Sequence, residues 1–520
     1  MSPSLEWVKK NGLIVALFAI GAIVRLLYAG AIPAGFNQDE ASIGYDAYAI
    51  LHYGIDRNGI QLPIHLIAWG SGQNALYAYL SMPFIWLLGL NELSVRAVNI
   101  VFGLVGMIAF YFIAKQLFKH KAAAGTAMFL IAICPWHIMM SRWALESNLF
   151  PTLVLLAVWF LFKSLEQPKW FTLFAITITL SLYAYGTAYF FVPVFVLGVL
   201  ILLIAQKKIK LRTLLWNLGI MVVLGLPILL FIVINRLGKG TIETWLFSIP
   251  KLTVPRVEQV SSVFQGDVLQ NAVQHFDLLL QVLLSQEDGL LWNAIPPYGY
   301  MYPLALPLML VGLYAVCVRI GSGLRTEQGI IAIWGITAVL MSLITDININ
   351  RINIIFFPLV LLTLAGLIWL KGQLKYVFPV ALAAFAVFFV LFCGNYFVEY
   401  PKKAGPMFYE SFGEAVQYAS DQTDGTIYVT NNVNMPYIYV LFYERIDPHL
   451  FLDTVVYSNP GAPFQFVSSF GRYQFGLPAA FEPSDNAVYI LSEGDQPPSD
   501  LSGYEVREFK HYKVISMASR

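Results

Sequence analysis

The chain has 520 residues, of which 58% are hydrophobic and only 12% charged, with a formal net charge of +1. That composition, with a mean hydropathy of +0.66, defines a polytopic membrane protein and offers no bulk positive charge to attract nucleic acid. The three cysteines, Cys134, Cys317 and Cys393, lie far apart inside apolar runs. They have neither metal-ligand nor redox spacing, so free, buried thiols are expected.

Leu13–Ala31 is the first apolar run, preceded by Lys9 and Lys10. Its AGA end resembles a signal-peptide cleavage site, but the run is long enough to span and is read as the first transmembrane helix. Phe36–Gly59 follows directly, FNQDEASIGYDAYAILHYGIDRNG. It opens with the adjacent acids Asp39 and Glu40, continues as a short amphipathic helix, and closes in a glycine-bounded turn carrying Asp56. Acids beside a membrane span are costly unless they have a partner or a task.

Further runs of spanning length, about twenty residues at 1.5 Å rise, are Leu93–Phe118, Ala122–Ser141, Leu149–Leu165, Trp170–Tyr185, Ala188–Ala205, Leu214–Asn235, Tyr302–Ile320, Gly329–Thr345, Ile352–Leu370 and Tyr376–Phe397. With the first, about eleven crossings are expected. Basic clusters at Lys9/Lys10, Lys115/Lys119/Lys121, Lys163/Lys169, Lys207/Lys208/Lys210/Arg212, Arg319/Arg325 and Lys371/Lys375 should all face the cytoplasm. They alternate only if Asn74–Leu90, interrupted by Pro83, does not cross. That places it in a first outer loop, 32–92, and leaves one other long outer loop, 236–301. After Glu399 the composition changes, and a C-terminal soluble α/β domain on the outer face is expected for 399–520. Its elements are a helix in MFYESFGEAVQYASD, a strand GTIYVT, a helix PYIYVLFYE, a strand AVYILS and a hairpin in YEVREFKHYKVISM. The fold class is therefore mainly α, a membrane module over 1–398 with an added α/β domain.

Asp39 and Glu40 allow two readings. Asn37-x-x-Glu40 fits a capping box, in which the glutamate is structural and acids favour the first helical turn. The alternative is a general base that takes a proton from an acceptor hydroxyl. Both can hold for Glu40, whereas Asp39 stands outside the box.

DEASIGYDAYAILHYGIDRNG, LNELSVRAVNIVFGL, CPWHIMMSRWALESN, LYAYGTAYFFVP and ININRINIIFFPL, in that order over the first 400 residues, resemble bacterial GT-C glycosyltransferases. The likeness is to the protein mannosyltransferase and aminoarabinose transferase group. It implies a polyprenyl-phosphate-sugar donor, an outward-facing site, inversion at the anomeric carbon, and Asp39 as catalytic carboxylate with Glu40 assisting. Many members carry a Lys-Pro-Pro or His-Pro-Pro motif where this chain has Gln73-Asn74-Ala75. In the aminoarabinose group that lysine helps hold the donor phosphate, and the arginine that follows the acid pair there is also missing here. Gln73 and Asn74 are accordingly substrate-binding candidates, and the phosphate charge needs another partner.

Arg142 and Glu146, four apart, would share a helix face and pair; a structural helix-end pair is the plainer reading, and substrate contact, with Arg142 on the donor phosphate, is the other. Arg351, ending the NINR loop, could hold a phosphate through two N–H groups or anchor a lipid headgroup. Arg96 reads as structural. Tyr185, with Tyr183 and Tyr189, fits an interfacial belt and is kept as a binding candidate. His65, His137 and His275 lack ligand spacing, so neither a protein-bound metal nor any other protein-bound cofactor is expected. A divalent cation on the donor phosphate stays open as an alternative to the arginines.

The function expected is transfer of a hexose or pentose from the lipid-linked donor to an acceptor, whether lipid, glycan or protein, at the outer face of a bacterial plasma membrane. Membrane lipids are the other expected partners. The competing class is a non-enzymatic lipid-linked-sugar transporter or binding protein. Charges at mid-membrane depth and repeat symmetry would mark it, and neither is seen. A ligase of whole oligosaccharides would share the chemistry.

Overall fold

The protein is described by a computed structural model over residues 11–255, 267–320, 323, 325–374, 376–479, 481, 486–497 and 502–518. Lys9, Lys10 and Lys375 of the basic clusters lie outside the described residues, as does the side chain of Arg319. In chain order come α1 (Gly12–Leu26), α2 (Gln38–Tyr53), a two-stranded ribbon of β1 (His65–Leu66) and β2 (Gln73–Asn74), α3 (Leu76–Leu88) and α4 (Glu92–Phe118). Next are α5 (Lys121–Ile133), α6 (Pro135–Met140), α7 (Glu146–Ser164), α8 (Trp170–Leu180), α9 (Ala188–Ala205) and α10 (Leu211–Arg236). A hairpin of β3 (Ile242–Glu243) and β4 (Ser248–Ile249) precedes α11 (Val268–Ser285), α12 (Ala305–Ile320), α13 (Thr326–Ser342), α14 (Ile349–Ile352), α15 (Phe356–Gln373) and α16 (Val377–Gly394).

Among the described residues six helical segments are long and apolar enough to cross a membrane: Glu92–Phe118, Glu146–Ser164, Ala188–Ala205, Leu211–Arg236, Ile349–Gln373 and Val377–Phe408. Shorter apolar helices, α1, α3 and α5 among them, accompany these six. The chain is thus a mainly helical, multi-pass membrane protein. One expected span is interrupted: Ala122–Ser141 is two helices, α5 and α6, broken at Cys134. Pro135 occupies the first position of α6 and pushes the residue before it out of helical geometry, with Cys134 at ψ 119°. All three cysteines are free, but Cys317 is exposed rather than buried, and Cys393 is half-buried.

The chain forms two compact units. One comprises Met1–Leu27, Asn99–Leu229 and Val257–Val398; the other comprises Tyr28–Val98, Leu230–Arg256 and Glu399–Arg520. In the first, α12 and α15 cross closely through glycine. A Cβ at Gly312 would strike the Leu362 carbonyl oxygen, and one at Gly366 would strike that of Leu308. Small residues that let two backbones touch are how apolar helices gain packing where lipid removes the hydrophobic drive.

The second unit holds a seven-stranded sheet with the order β10-β11-β9-β5-β8-β7-β6. Its strands are β5 (Thr426–Val429), β6 (Val456–Tyr457), β7 (Val467–Phe470), β8 (Tyr473–Phe475), β9 (Ala487–Ser492), β10 (Tyr504–Glu508) and β11 (Tyr512–Met517). β5 runs parallel to β8 and β9, and the other pairings are antiparallel. The expected strands appear as β5, β9 and the β10–β11 hairpin, and the expected helices as Phe412–Gln422 and Pro436–Tyr443. The β6–β8 meander was not anticipated, because FQFVSSFGRYQF has no clear alternation of apolar and polar residues.

Candidate active site in the first outer loop

The start of α2 is fixed from both sides. Asn37 accepts from the Asp39 amide at 2.9 Å, the Asn37 amide donates to Glu40 Oε2 at 3.1 Å, and the capping box is complete. Gly54, left-handed at φ 77°, ends the helix with its amide on the Ile50 carbonyl at 3.0 Å.

Glu40 is fully buried and paired with Arg96, Nε to Oε1 at 2.8 Å and Nη2 to Oε2 at 2.9 Å. Arg96 turns its other N–H groups to the carbonyls of Gly30, Pro33 and Gly35 at 3.2, 3.0 and 2.7 Å. One arginine therefore ties the cap of α2 to the segment that delivers it. Buried charge is tolerated when paired and fully hydrogen-bonded, and this pair is.

Asp39, one residue earlier, is only half-buried. Trp69 Nε1 reaches its Oδ1 at 3.4 Å, a long contact. The same indole lies under the Arg57 guanidinium, 4.6 Å from ring centroid to Cζ, and meets Tyr437 edge-on at 6.1 Å. Arg57 Nη2 donates to Ser42 Oγ at 2.8 Å, and Ser42 in turn donates to Gln73 Oε1 at 3.1 Å. Gln73 and Asn74, both buried, form β2 and pair with Leu66 and His65. Gln73 therefore belongs to the wall built by Ser42, Arg57 and Trp69.

Behind that wall stand two buried acids. Asp46 accepts from the Arg57 amide at 3.2 Å, with its Oδ2 3.8 Å from Arg57 Nη2. Asp56 Oδ1 accepts from the amides of Asn58 and Ile60, both at 2.9 Å, and so shapes the DRNG turn. Asp46 Oδ2, Asp56 Oδ2, and Nε and Nη1 of Arg57 find no hydrogen-bond partner among the described residues. Burial raises both carboxyls above the usual range, and the nearby Asp46 charge adds to the rise of Asp56, which reaches about 7.

Burial likewise holds the His65 imidazole down to about 4, its ring stacked on Phe231 at 4.2 Å. Among the described residues no three His, Cys, Asp or Glu side chains are grouped to hold a metal ion.

The remaining sequence candidates lie in the other unit. Arg142 is fully buried. Its Nη1 donates to the Val24 and Arg25 carbonyls, at 2.6 and 3.0 Å, and Nη2 to that of Leu27 at 2.6 Å. Nε reaches Tyr396 Oη at 3.1 Å. It thus satisfies the carbonyls that end α1, which have no partner within the helix. Glu146 is a buried first residue of α7, and Tyr185 is half-buried just beyond α8. Arg351, on α14, pairs with the half-exposed Asp346 at 2.7 Å.

Arg57, Asp46 and Trp69 were not singled out from sequence. The signal available was weak: an aspartate-arginine pair in a turn whose amphipathic helix carries a further acid.

This multi-pass helical fold, with this order of elements, is shared with solved membrane proteins. ArnT from Cupriavidus metallidurans in the apo state matches it with a TM-score of 0.56 at 12% identity, over 99% of this chain and 98% of that one. ArnT bound to undecaprenyl phosphate gives the same score over 97% and 98%. The oligosaccharyltransferase of Archaeoglobus fulgidus in the apo form gives 0.50 at 13% identity over 84% of this chain. The chain spans only 64% of that protein's length. Residues 74–232 match the family described as dolichyl-phosphate-mannose-protein mannosyltransferase. Comparison with curated protein sequences returns no match. The family match thus covers residues 74–232, and the likeness of fold extends over nearly the whole chain.

Proposed function

We propose that the protein transfers a sugar from a polyprenyl-phosphate donor to an acceptor at the outer face of a bacterial plasma membrane. The observation that carries this reading is the contrast between two adjacent acids. Glu40 is locked into a cap and an ion pair, while Asp39 keeps a half-exposed carboxylate beside an indole N–H. The undecaprenyl-phosphate complex of ArnT supports a lipid-phosphate donor here too.

In the proposed step Asp39 takes the proton of an acceptor hydroxyl as that oxygen bonds to the anomeric carbon. The bond from that carbon to the phosphate oxygen breaks, and polyprenyl phosphate leaves with the electron pair. A single in-line displacement inverts the anomeric centre and needs one carboxylate at the acceptor. Phosphate is already a competent leaving group, so cations and orientation are the remaining requirements. Glu40 acts as a positioning residue, and Gln73, Asn74 and Tyr185 are assigned to substrate. Arg351, whose partner Asp346 is half-exposed, is the preferred ligand for the donor phosphate. Arg142 would have to leave the α1 carbonyls to serve, and Glu146 beside it in sequence is assigned to the same helix junction.

The proposed topology has the N-terminus inside, α3 not crossing, and residues 399–520 forming an outer domain for acceptor recognition. Impermeant maleimide on single cysteines tests it, and labelling of the 207–212 loop from outside would refute it. The activity is tested with the purified protein and a panel of radiolabelled polyprenyl-phosphate sugars, scored for free polyprenyl phosphate. Donor that binds and is never cleaved, with any acceptor fraction supplied, would favour the transporter or binding protein instead.

A further inference from the structure

The β3–β4 hairpin begins where α10 ends, and the two are tied together. Asn235, in the last turn of α10, donates to the Pro250 carbonyl at 3.1 Å and accepts from the Leu252 amide at 2.7 Å. Thr241 accepts from the Lys251 amide at 3.1 Å and closes the base. The base of the hairpin is therefore tied to the end of a membrane-length helix.

The tip is a tight turn. Thr244 accepts through Oγ1 from the amides of Leu246 and Phe247 at 3.3 and 3.0 Å. This turn projects Trp245 and Leu246 outward, 88% and 54% exposed, with Leu237 at the helix end 63% exposed. The exposed residues around it include Arg236, Lys239 and Lys251 against one acid, Glu243. Tryptophan on a turn, an aliphatic neighbour and a basic rim at a span's end are what the interface of an anionic bilayer selects. A protein partner fits less well. One tryptophan presents about 150–250 Å², far below the roughly 1,200–2,000 Å² of a stable protein interface.

The opposite edge of the hairpin is a strand partner. The Ile64 amide donates to the Ser248 carbonyl at 3.0 Å, and the Ser248 amide donates to that of Leu62 at 3.2 Å. Leu62–Ile64 runs directly into β1, whose pairing holds Gln73 of β2 against Ser42. We infer that the hairpin is a lipid anchor, with Trp245 and Leu246 seated at headgroup level among anionic lipids and β4 holding the loop that carries Gln73. Its value for catalysis rests on the function proposed above; the anchor itself does not.

The test uses the full chain with a benzophenone amino acid at position 245, reconstituted in nanodiscs of phosphatidylethanolamine and phosphatidylglycerol. Illumination should give phospholipid adducts by mass, more of them as the phosphatidylglycerol share rises. The same group at Val223, an exposed position of α10, serves as the lipid-facing control. Lipid adducts at 223 but none at 245, or adducts at 245 to a second copy of the chain, would overturn the inference. As a second measurement, Trp245→Ser with Leu246→Ser should speed amide exchange at Ile64 in nanodiscs and leave it unchanged in detergent. Equal exchange in both would contradict the coupling to the loop, and neither readout depends on transferase activity.

Discussion

The segment from Asn37 to Arg96 contains two arginine–carboxylate sites built on opposite terms. At Arg96 each nitrogen finds its acceptors: the two oxygens of Glu40 and three backbone carbonyls. At Arg57 one nitrogen meets Ser42 and the indole takes the guanidinium face, while Nε and Nη1 and an oxygen of each flanking aspartate go unmatched. A satisfied buried pair fixes one geometry. An undersatisfied one keeps its charge state adjustable, because the local low dielectric makes a proton on an aspartate a cheap alternative. The segment thus has a rigid brace at Glu40 and a titratable wall at Arg57 and Trp69, with Asp39 next to Glu40 in sequence and in contact with the Trp69 indole.

The largest effect expected is at the brace. Arg96→Leu leaves Glu40 buried without its partner, which should cost about 3–5 kcal/mol. Denaturant melts in detergent would measure it, and a loss below 1 kcal/mol would remove the distinction between the two sites. At the wall, Arg57→Leu should cost less, about 1–3 kcal/mol, because Asp46 and Asp56 can take up protons in compensation. A loss equal to that of Arg96→Leu would show the wall to be just as rigid.

Arg351 supplies a third kind of pair. Asp346 is half-exposed, so stability should change by no more than about 1 kcal/mol in Arg351→Ala. Donor affinity should fall by about tenfold if the guanidinium holds phosphate, since charge-assisted contacts contribute about 1.5–3 kcal/mol. Titration with polyprenyl phosphate reads this directly. Unchanged affinity would shift attention to Arg236 or to a divalent ion, which a chelator would reveal.

The wall also predicts a pH dependence. Burial raises the folded-state pKa of Asp56 to about 7 from its ordinary value of 3.8. Between those values the folded state holds a proton that the unfolded state has released, so stability falls as pH rises from about 4 to about 7. Below that window the contribution is fully present, and above it the loss is complete. Melts across this range should show the fall, and Asp56→Asn should flatten it. An unaltered slope in that variant would assign the titration to Asp46.

Local rules made half of this site legible. Asn37-x-x-Glu40 announces its cap, apolar run lengths announce the helical frame, and Pro135 announces a break that the run length alone concealed. What could not be read is long-range. Arg96 lies 56 residues from Glu40, and Gln73 lies 31 from Ser42, so only folding shows that each pair meets. The same limit holds for Arg142, whose Nη1 and Nη2 serve carbonyls more than a hundred residues earlier. Short strands such as β6, with two residues, carry too little pattern to be seen in advance.

The claim on which the rest depends is that adjacent acids have different work, Asp39 in proton transfer and Glu40 in bracing. Single-turnover transfer at saturating donor, with a melting curve for each variant, tests it most directly. Asp39→Asn should lower the rate by about 10²–10⁴ with its melting midpoint little changed. Glu40→Gln should melt earlier than Asp39→Asn and keep more of its rate while folded. Wild-type transfer in a folded Asp39→Asn protein, or a collapse of its melting midpoint, would contradict the assignment.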